Sequence, residues 1–253
     1  MIKSINPIYA NDEFIGRTRS RLITPPHTAL SVKNHLCKIE GFSTGTNSTL
    51  IESFSNTKTM DASARVPLKG DTGPGSSEDD PMILVVEPRG DEKRSPPLKQ
   101  SALPNSVPHE PRYRLCQHSV CPAVDSHTST VYYQVYNKGG AIATKMSFDT
   151  DDEFLGRIDT LSVTPPHTVA SIGSRIASAE GVLKSKIQLF KDTASDTLMN
   201  DNDQLSLLVQ TYPGCAEDDP IAIVCEEELV DKPQVGSDNL FSKQIRATTT
   251  WSK

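Results

Sequence analysis

The sequence predicts an α+β protein made of two copies of one small unit, each a mixed sheet covered by a single helix. Three observations lead there: a long internal repeat, a helical stripe after the same pentapeptide in both copies, and short β-rich runs around each stripe. Residues 12–41 (DEFIGRTRSRLITPPHTALSVKNHLCKIEG) and 152–181 (DEFLGRIDTLSVTPPHTVASIGSRIASAEG) agree at thirteen of thirty positions with a constant offset of 140. A second match, Glu78–Val85 with Glu217–Val224, follows at an offset of 139, so one residue was gained or lost between them. A period this long is far above the ~20–45 residues of solenoid repeats, which leaves duplication of a whole unit.

The helix comes first in the argument. Val169, Ile172, Ile176 and Ala179 fall at i, i+3, i+7 and i+10, and Ala29, Val32, Leu36 and Ile39 repeat the stripe. Thr168 and Thr28 suit the N-cap, where a hydroxyl accepts from the free N–H groups of the first turn. Gly181 and Gly41 suit the position after the helix, where a positive φ is needed. The two prolines ahead of each cap hold the chain extended as it enters. Gly173 lies inside the predicted helix and costs ~1 kcal/mol against alanine.

The remaining elements read as strands. Tyr132–Tyr136 is β-rich and ends in the turn signal Asn137-Lys138-Gly139-Gly140. Ile158–Val163 reads as a strand with Leu161 and Val163 on one face, and Ile187–Phe190 and Ile221–Val224 as two more. The order is strand, strand, helix, strand, strand, and one amphipathic helix needs an apolar sheet to cover. The first copy has nothing equivalent to Tyr132–Tyr136; its first strand is missing or replaced by residues 1–8. A truncated first copy of lower stability is the expectation, since a sheet without a central strand leaves backbone groups unpaired.

Residues 87–129 hold seven prolines and little apolar periodicity, the composition of an extended, disordered linker. Residues 229–253 read as a flexible tail. The predicted organisation is therefore 1–86, a degenerate copy; 87–129, the linker; 130–228, a complete copy; and 229–253, the tail.

Composition narrows the function. No apolar run approaches the ~18 residues of a membrane span, and the N-terminus has no continuous apolar stretch of a secretory signal. Five cysteines without such a signal read as reduced thiols, so a cytoplasmic or nuclear location is expected. The net charge of −6 is uneven: residues 131–253 carry eleven basic against eighteen acidic groups. That half repels phosphate backbones, so no nucleic acid partner is expected.

The second copy resembles ubiquitin. Val163–Val169, the helix stripe with Arg175, and the helix-ending Glu180-Gly181 match ubiquitin's strand–turn–helix without a gap. Ile187–Phe190 then falls at that family's third strand, Leu198–Leu208 at its polar connection and Ile221–Val224 at its last central strand. The resemblance covers roughly 130–228 and implies two ubiquitin-like β-grasp copies in tandem. It departs from the family in an insertion over Ile142–Leu155, and in CEEELVDKPQ after Val224 where conjugated modifiers end in Gly-Gly. A non-conjugated module is what this implies. The Leu189-Phe190 strand also resembles the ubiquitin-like header of crinkler-type effectors, and the TPPHT unit resembles uncharacterised basidiomycete fungal proteins.

Ubiquitin-like domains meet partners through the outer face of the sheet. Strand alternation turns Ile187, Leu189, Ile221 and Ile223 toward the helix. Phe190, Ala222 and Val224 are left facing outward as a protein-binding surface, with Phe190 as its anchor. The alternative is that linker or tail covers this face, or that the register is off by one.

Other clusters weigh less. His27 and His167 recur in the TPPHT turns and read chiefly as turn residues before the cap. Cys116, His118, Cys121 and His127 form C-x-H-x2-C-x5-H, not a usual zinc-finger spacing, so no metal or other cofactor is expected. The acidic runs Asp149–Glu153 and Glu217–Asp219 lack the spacing of a calcium loop. No glycine-rich phosphate loop, nucleophile elbow or HExxH pattern is present. The expectation is a non-enzymatic protein–protein interaction module, two tethered copies giving avidity for a multivalent partner. The alternatives are an effector-type protein with a ubiquitin-like header, or an enzyme of unrecognised chemistry.

Overall fold

Each Thr-Pro-Pro-His-Thr run opens a helix by the same device. In the computed structural model, which describes residues 2–8, 10–42, 47–68, 73–77, 79–87, 129–183, 186–207 and 209–226, the hydroxyls of Thr28 and Thr168 accept from the N–H of Ser31 and Ser171. The serine hydroxyls answer by accepting from the threonine N–H, closing a capping box at each end. Helix α1 runs Ala29–Ile39 and α2 runs Val169–Glu180. Both are followed by a glycine at φ 70°, Gly41 and Gly181. Both Pro-Pro bonds are cis.

Around α1 lie β1 (Ser48–Ile51) and β2 (Ile83–Val86), a two-stranded antiparallel sheet. Around α2 lies a five-stranded mixed sheet of β3 (Thr130–Asn137), β4 (Gly140–Ile142), β5 (Leu155–Asp159), β6 (Ile187–Phe190) and β7 (Ile221–Cys225). Its order is β4-β3-β7-β6, with β5 also on β3. Strands β3 and β7 are parallel; every other pair is antiparallel. On β3, Val135 pairs with Ile142 and its neighbour Gln134 with Leu155, so β4 and β5 are one interrupted partner strand. The insertion read from the sequence is the excursion between them. It folds back over the sheet edge, where Phe148 lies beneath the Arg157 guanidinium at 4.4 Å.

The duplication is geometric as well as sequential. The register Ser48↔Val86 through Ile51↔Ile83 recurs as Ile187↔Cys225 through Phe190↔Ala222, shifted by 139 at every pair. The bridges Pro7↔Gly16, Thr28↔Arg65 and Ile51↔Thr59 recur as Ser147↔Gly156, Thr168↔Gln204 and Phe190↔Leu198. Residues 2–8 therefore correspond to 142–148. They do not stand in the place of β3, and no other described residues of the first repeat do.

The two cores differ accordingly. In the second repeat, Val131, Tyr133 and Val135 of β3 pack with Ile172 and Ile176 of α2 and with Leu189, Ile221 and Ile223, all buried. Each such side chain stabilises by roughly 1.5–3 kcal/mol relative to exposure. Gly173 faces this sheet, and a Cβ there would stand 3.1 Å from Leu189 Cδ1; its absence lets α2 lie close. Among the described residues, the buried cluster of the first repeat is Ile23, Ala29, Val32, Leu50 and Val66.

The strand expected over Ile158–Val163 runs instead over Leu155–Asp159. After β5 the Asp159 carboxylate accepts from Leu161 N at 2.8 Å and starts a 3-10 turn over Thr160–Ser162. The chain leaves the sheet there, so Leu161 is 78% exposed while Val163 is buried, not on one face with it. No helix among the described residues is long and apolar enough to cross a membrane. Residues 88–128 and 227–253, including Cys116, His118, Cys121 and His127, lie outside the described residues.

Candidate functional site

The β6–β7 face opposite α2 is where the sequence placed a binding surface, and strand alternation assigned its residues to the correct side. Leu189, Ile221 and Ile223 join the α2 core, whereas Phe190 and Ala222 form a separate cluster with Tyr136 and Ala141. Exposure is where the expectation is corrected. Phe190 is 3% exposed and Ala222 0%, with Val224 half-buried beside them. Linker residues 88–128 and the tail lie outside the described residues. Leu22, from the 3-10 turn before α1, packs onto this cluster with Phe154 from the excursion. An apolar sheet face of this size is unfavourable in water, and the first repeat removes it from water.

Polar contacts fix the docking. Tyr136 Oη lies 2.6 Å from the Arg21 carbonyl and 2.8 Å from Gln134 Oε1. A phenol has one proton, so it donates to one of the two. With the Gln134 amide turned to bring Nε2 toward Tyr136, both contacts are satisfied, and Nε2 no longer lacks the partner it otherwise lacks. The Arg21 guanidinium pairs with Asp152 at 2.9 Å, where the carboxylate is largely buried. Thr24 Oγ1 donates to the Asn137 carbonyl at 2.6 Å.

The hairpin turn Asn137–Gly140 inserts against α1. His35 Nδ1 donates to the Gly139 carbonyl at 3.2 Å, which leaves Nε2 as acceptor for Thr18 Oγ1 at 2.8 Å. The buried ring is therefore a neutral, defined tautomer. Burial, with the Lys38 ammonium adding to it, pushes its pKa down to about 4 against the pull of the Gly139 carbonyl. Gly140 sits at φ 117°, and a Cβ there would come 2.3 Å from His35 Nδ1 and 2.7 Å from the Leu22 carbonyl. The turn reads as a hairpin signal in sequence; its glycines also make room for the other repeat.

The TPPHT histidines are not equivalent once folded. His27 is buried, its N–H donates to Asp196 Oδ1 at 3.2 Å, and burial lowers its pKa. Arg65 pairs with the same carboxylate at 2.6 Å. His167 is half-buried. No group of three or more His, Cys, Asp or Glu side chains that could hold a metal occurs among the described residues.

Sequence reasoning missed Leu22, Arg21, Thr24 and His35, the first repeat's share of this interface. Their signal was present: Arg21, Leu22 and His35 stand where the second copy has Leu161, Ser162 and Arg175, so the faces diverged while the scaffolds stayed alike. No protein-family model matches the chain, and no curated protein sequence matches it.

Proposed function

We propose that the protein is a non-enzymatic, non-conjugated interaction module built from two ubiquitin-like β-grasp units, with the recognition face of the second unit held in cis by the first. Support for the β-grasp reading is the strand–strand–helix–strand–strand order, with a mixed sheet under one helix. The first unit shares the helix and the last two strands in the same register. The observation that carries the functional reading is the seating of Leu22 on the cluster of Tyr136, Phe190 and Ala222, a partner-like contact made within the chain. A partner competes for this face by displacing the first unit, so its apparent affinity is reduced by the fraction of molecules undocked.

The test compares full-length wild type, Leu22→Asp, and Leu22→Asp with Phe190→Ala as baits for cross-linking in cell extract. A protein enriched by Leu22→Asp and lost in the double variant supports the reading. Identical captured sets for all three baits overturn it.

A further inference from the structure

Among the contacts that seat the first repeat, one is a charge beside an otherwise apolar face. Tyr136, Ala141, Phe190 and Ala222 form that face. At its edge stands the Asp152 carboxylate, with its side chain 11% exposed and Oδ2 paired to the Arg21 guanidinium at 2.9 Å. Removing a carboxylate from water without a cation costs far more than covering an apolar side chain. Asp152 Oδ1 accepts from Phe154 N at 3.2 Å, so its own loop aims the carboxylate. The same turn recurs at Asp12, where Phe14 N donates to Oδ1 at 2.9 Å. The aim is therefore a property of the repeated unit, not of the contact with Arg21.

The two repeats supply a comparison of occupants. Residues 17–25 read RTRSRLITP and residues 157–165 read RIDTLSVTP, and each includes the 3-10 turn that precedes its Pro-Pro run. Leu161 and Ser162 hold the places of Arg21 and Leu22. One backbone shape thus occurs twice in the chain, and the copy seated on the face is the one with cation and leucine. The other polar contacts discriminate less. Tyr136 Oη meets the Arg21 carbonyl, a group every residue has, and Thr24, which donates to the Asn137 carbonyl, has Thr164 as its counterpart.

We propose that the Phe190 face selects an occupant with an arginine directly before a leucine in a 3-10 turn, and that Asp152 imposes the choice. The first repeat is the resident occupant of this kind. A partner protein bearing the same turn can displace it, because it offers Asp152 a cation and the apolar cluster a leucine. A partner that is only apolar leaves a desolvated carboxylate unpaired and is rejected. This rests on the reading that the face serves a partner, and adds the partner's chemistry to it.

The experiment titrates full-length Leu22→Asp, whose face is opened, with end-blocked synthetic peptides, following the amide shifts of Tyr136, Phe190 and Ala222. The 17–25 peptide should bind, and its Arg21→Gln form should bind about tenfold more weakly. The 157–165 peptide should not bind. On a chain that also carries Asp152→Asn, the two forms of the 17–25 peptide should bind alike. If Leu22→Asp leaves the amide shifts of Thr24 and His35 as in wild type, Gly140→Ala opens the face instead. Changes made in the peptide cannot unfold the protein, so the comparison between peptides decides. Equal binding of the two 17–25 forms overturns selection by Asp152 and leaves the face as an apolar docking surface. Binding of neither, with a protein still captured through Phe190 in extract, overturns this proposal alone. Binding of neither and no such capture overturns it together with the reading on which it rests.

Discussion

Tyr133 donates to the buried carboxylate of Glu180 at 2.5 Å, and at Glu40, 140 positions before Glu180, Ser4 is the donor at 2.6 Å. The second carboxylate oxygen accepts a backbone N–H in both repeats, from Lys145 and from Ile5. The acidic residue at the end of each helix thus ties it to the stretch just after β4 and to the counterpart of that stretch in the first repeat. In the first repeat a serine hydroxyl is the donor, in the second the tyrosine that β3 brings. Tyr133→Phe leaves one oxygen of a buried carboxylate without that donor, and should cost about 1–3 kcal/mol. Ser4→Ala acts on the half-buried Glu40 and should cost about 0.5–1.5 kcal/mol. Urea unfolding of both variants checks the ranking.

Gly140→Ala should undock the repeats. The positive φ alone costs an alanine about 1–3 kcal/mol, and its Cβ overlaps His35 Nδ1 and the Leu22 carbonyl. The expected outcome is large amide-shift changes at Thr24 and His35, with the α2 core residues Ile172 and Ile176 unchanged. Unchanged shifts at Thr24 and His35 would show that the hairpin does not hold the interface.

Phe190→Ala should cost about 3–5 kcal/mol, the range for emptying a buried aromatic site, rather than leave stability untouched as an exposed anchor would. Leu22→Ala removes the other side of the same cluster. The two changes should be coupled by about 0.5–3 kcal/mol in a double-mutant cycle. Strict additivity would place Leu22 and Phe190 in energetically separate environments.

Docking should weaken in acid. His35 is held at about 4 in the folded chain against 6.5 for a free imidazole, so the undocked state binds the proton more tightly. Stability from this group is complete above pH 6.5 and is lost as pH falls through about 4, at most about 3 kcal/mol in all. His27, also lowered by burial, adds in the same direction. Stability measured from pH 7.5 to 4 should fall less steeply in His35→Gln than in wild type. Parallel profiles would mean that other groups set the acid limit.

Part of this architecture could be read directly from residue order. The helices, their threonine caps and the glycines after them followed from local patterns, because capping and helical periodicity involve residues only a few positions apart. The side-chain phase of Ile187–Phe190 and Ile221–Val224 followed too, since alternation along a strand has a fixed period of two. The extent of the strand before α2 did not follow. Asp159 and Ser162 form a local turn that competes with extension, a competition decided by the hydrogen bonds at Leu161 N and the Asp159 carbonyl.

By itself, then, the sequence determined that a unit was duplicated, where its helices begin and end, and which side chains share a sheet face. Whether the Phe190 face meets water depended on Leu22, more than 160 positions away, and on the Tyr136 hydroxyl reaching the Arg21 carbonyl. Periodicity fixes the direction in which a side chain points. What lies in that direction is set by long-range packing, and here Leu22 of the first repeat lies on the face of the second.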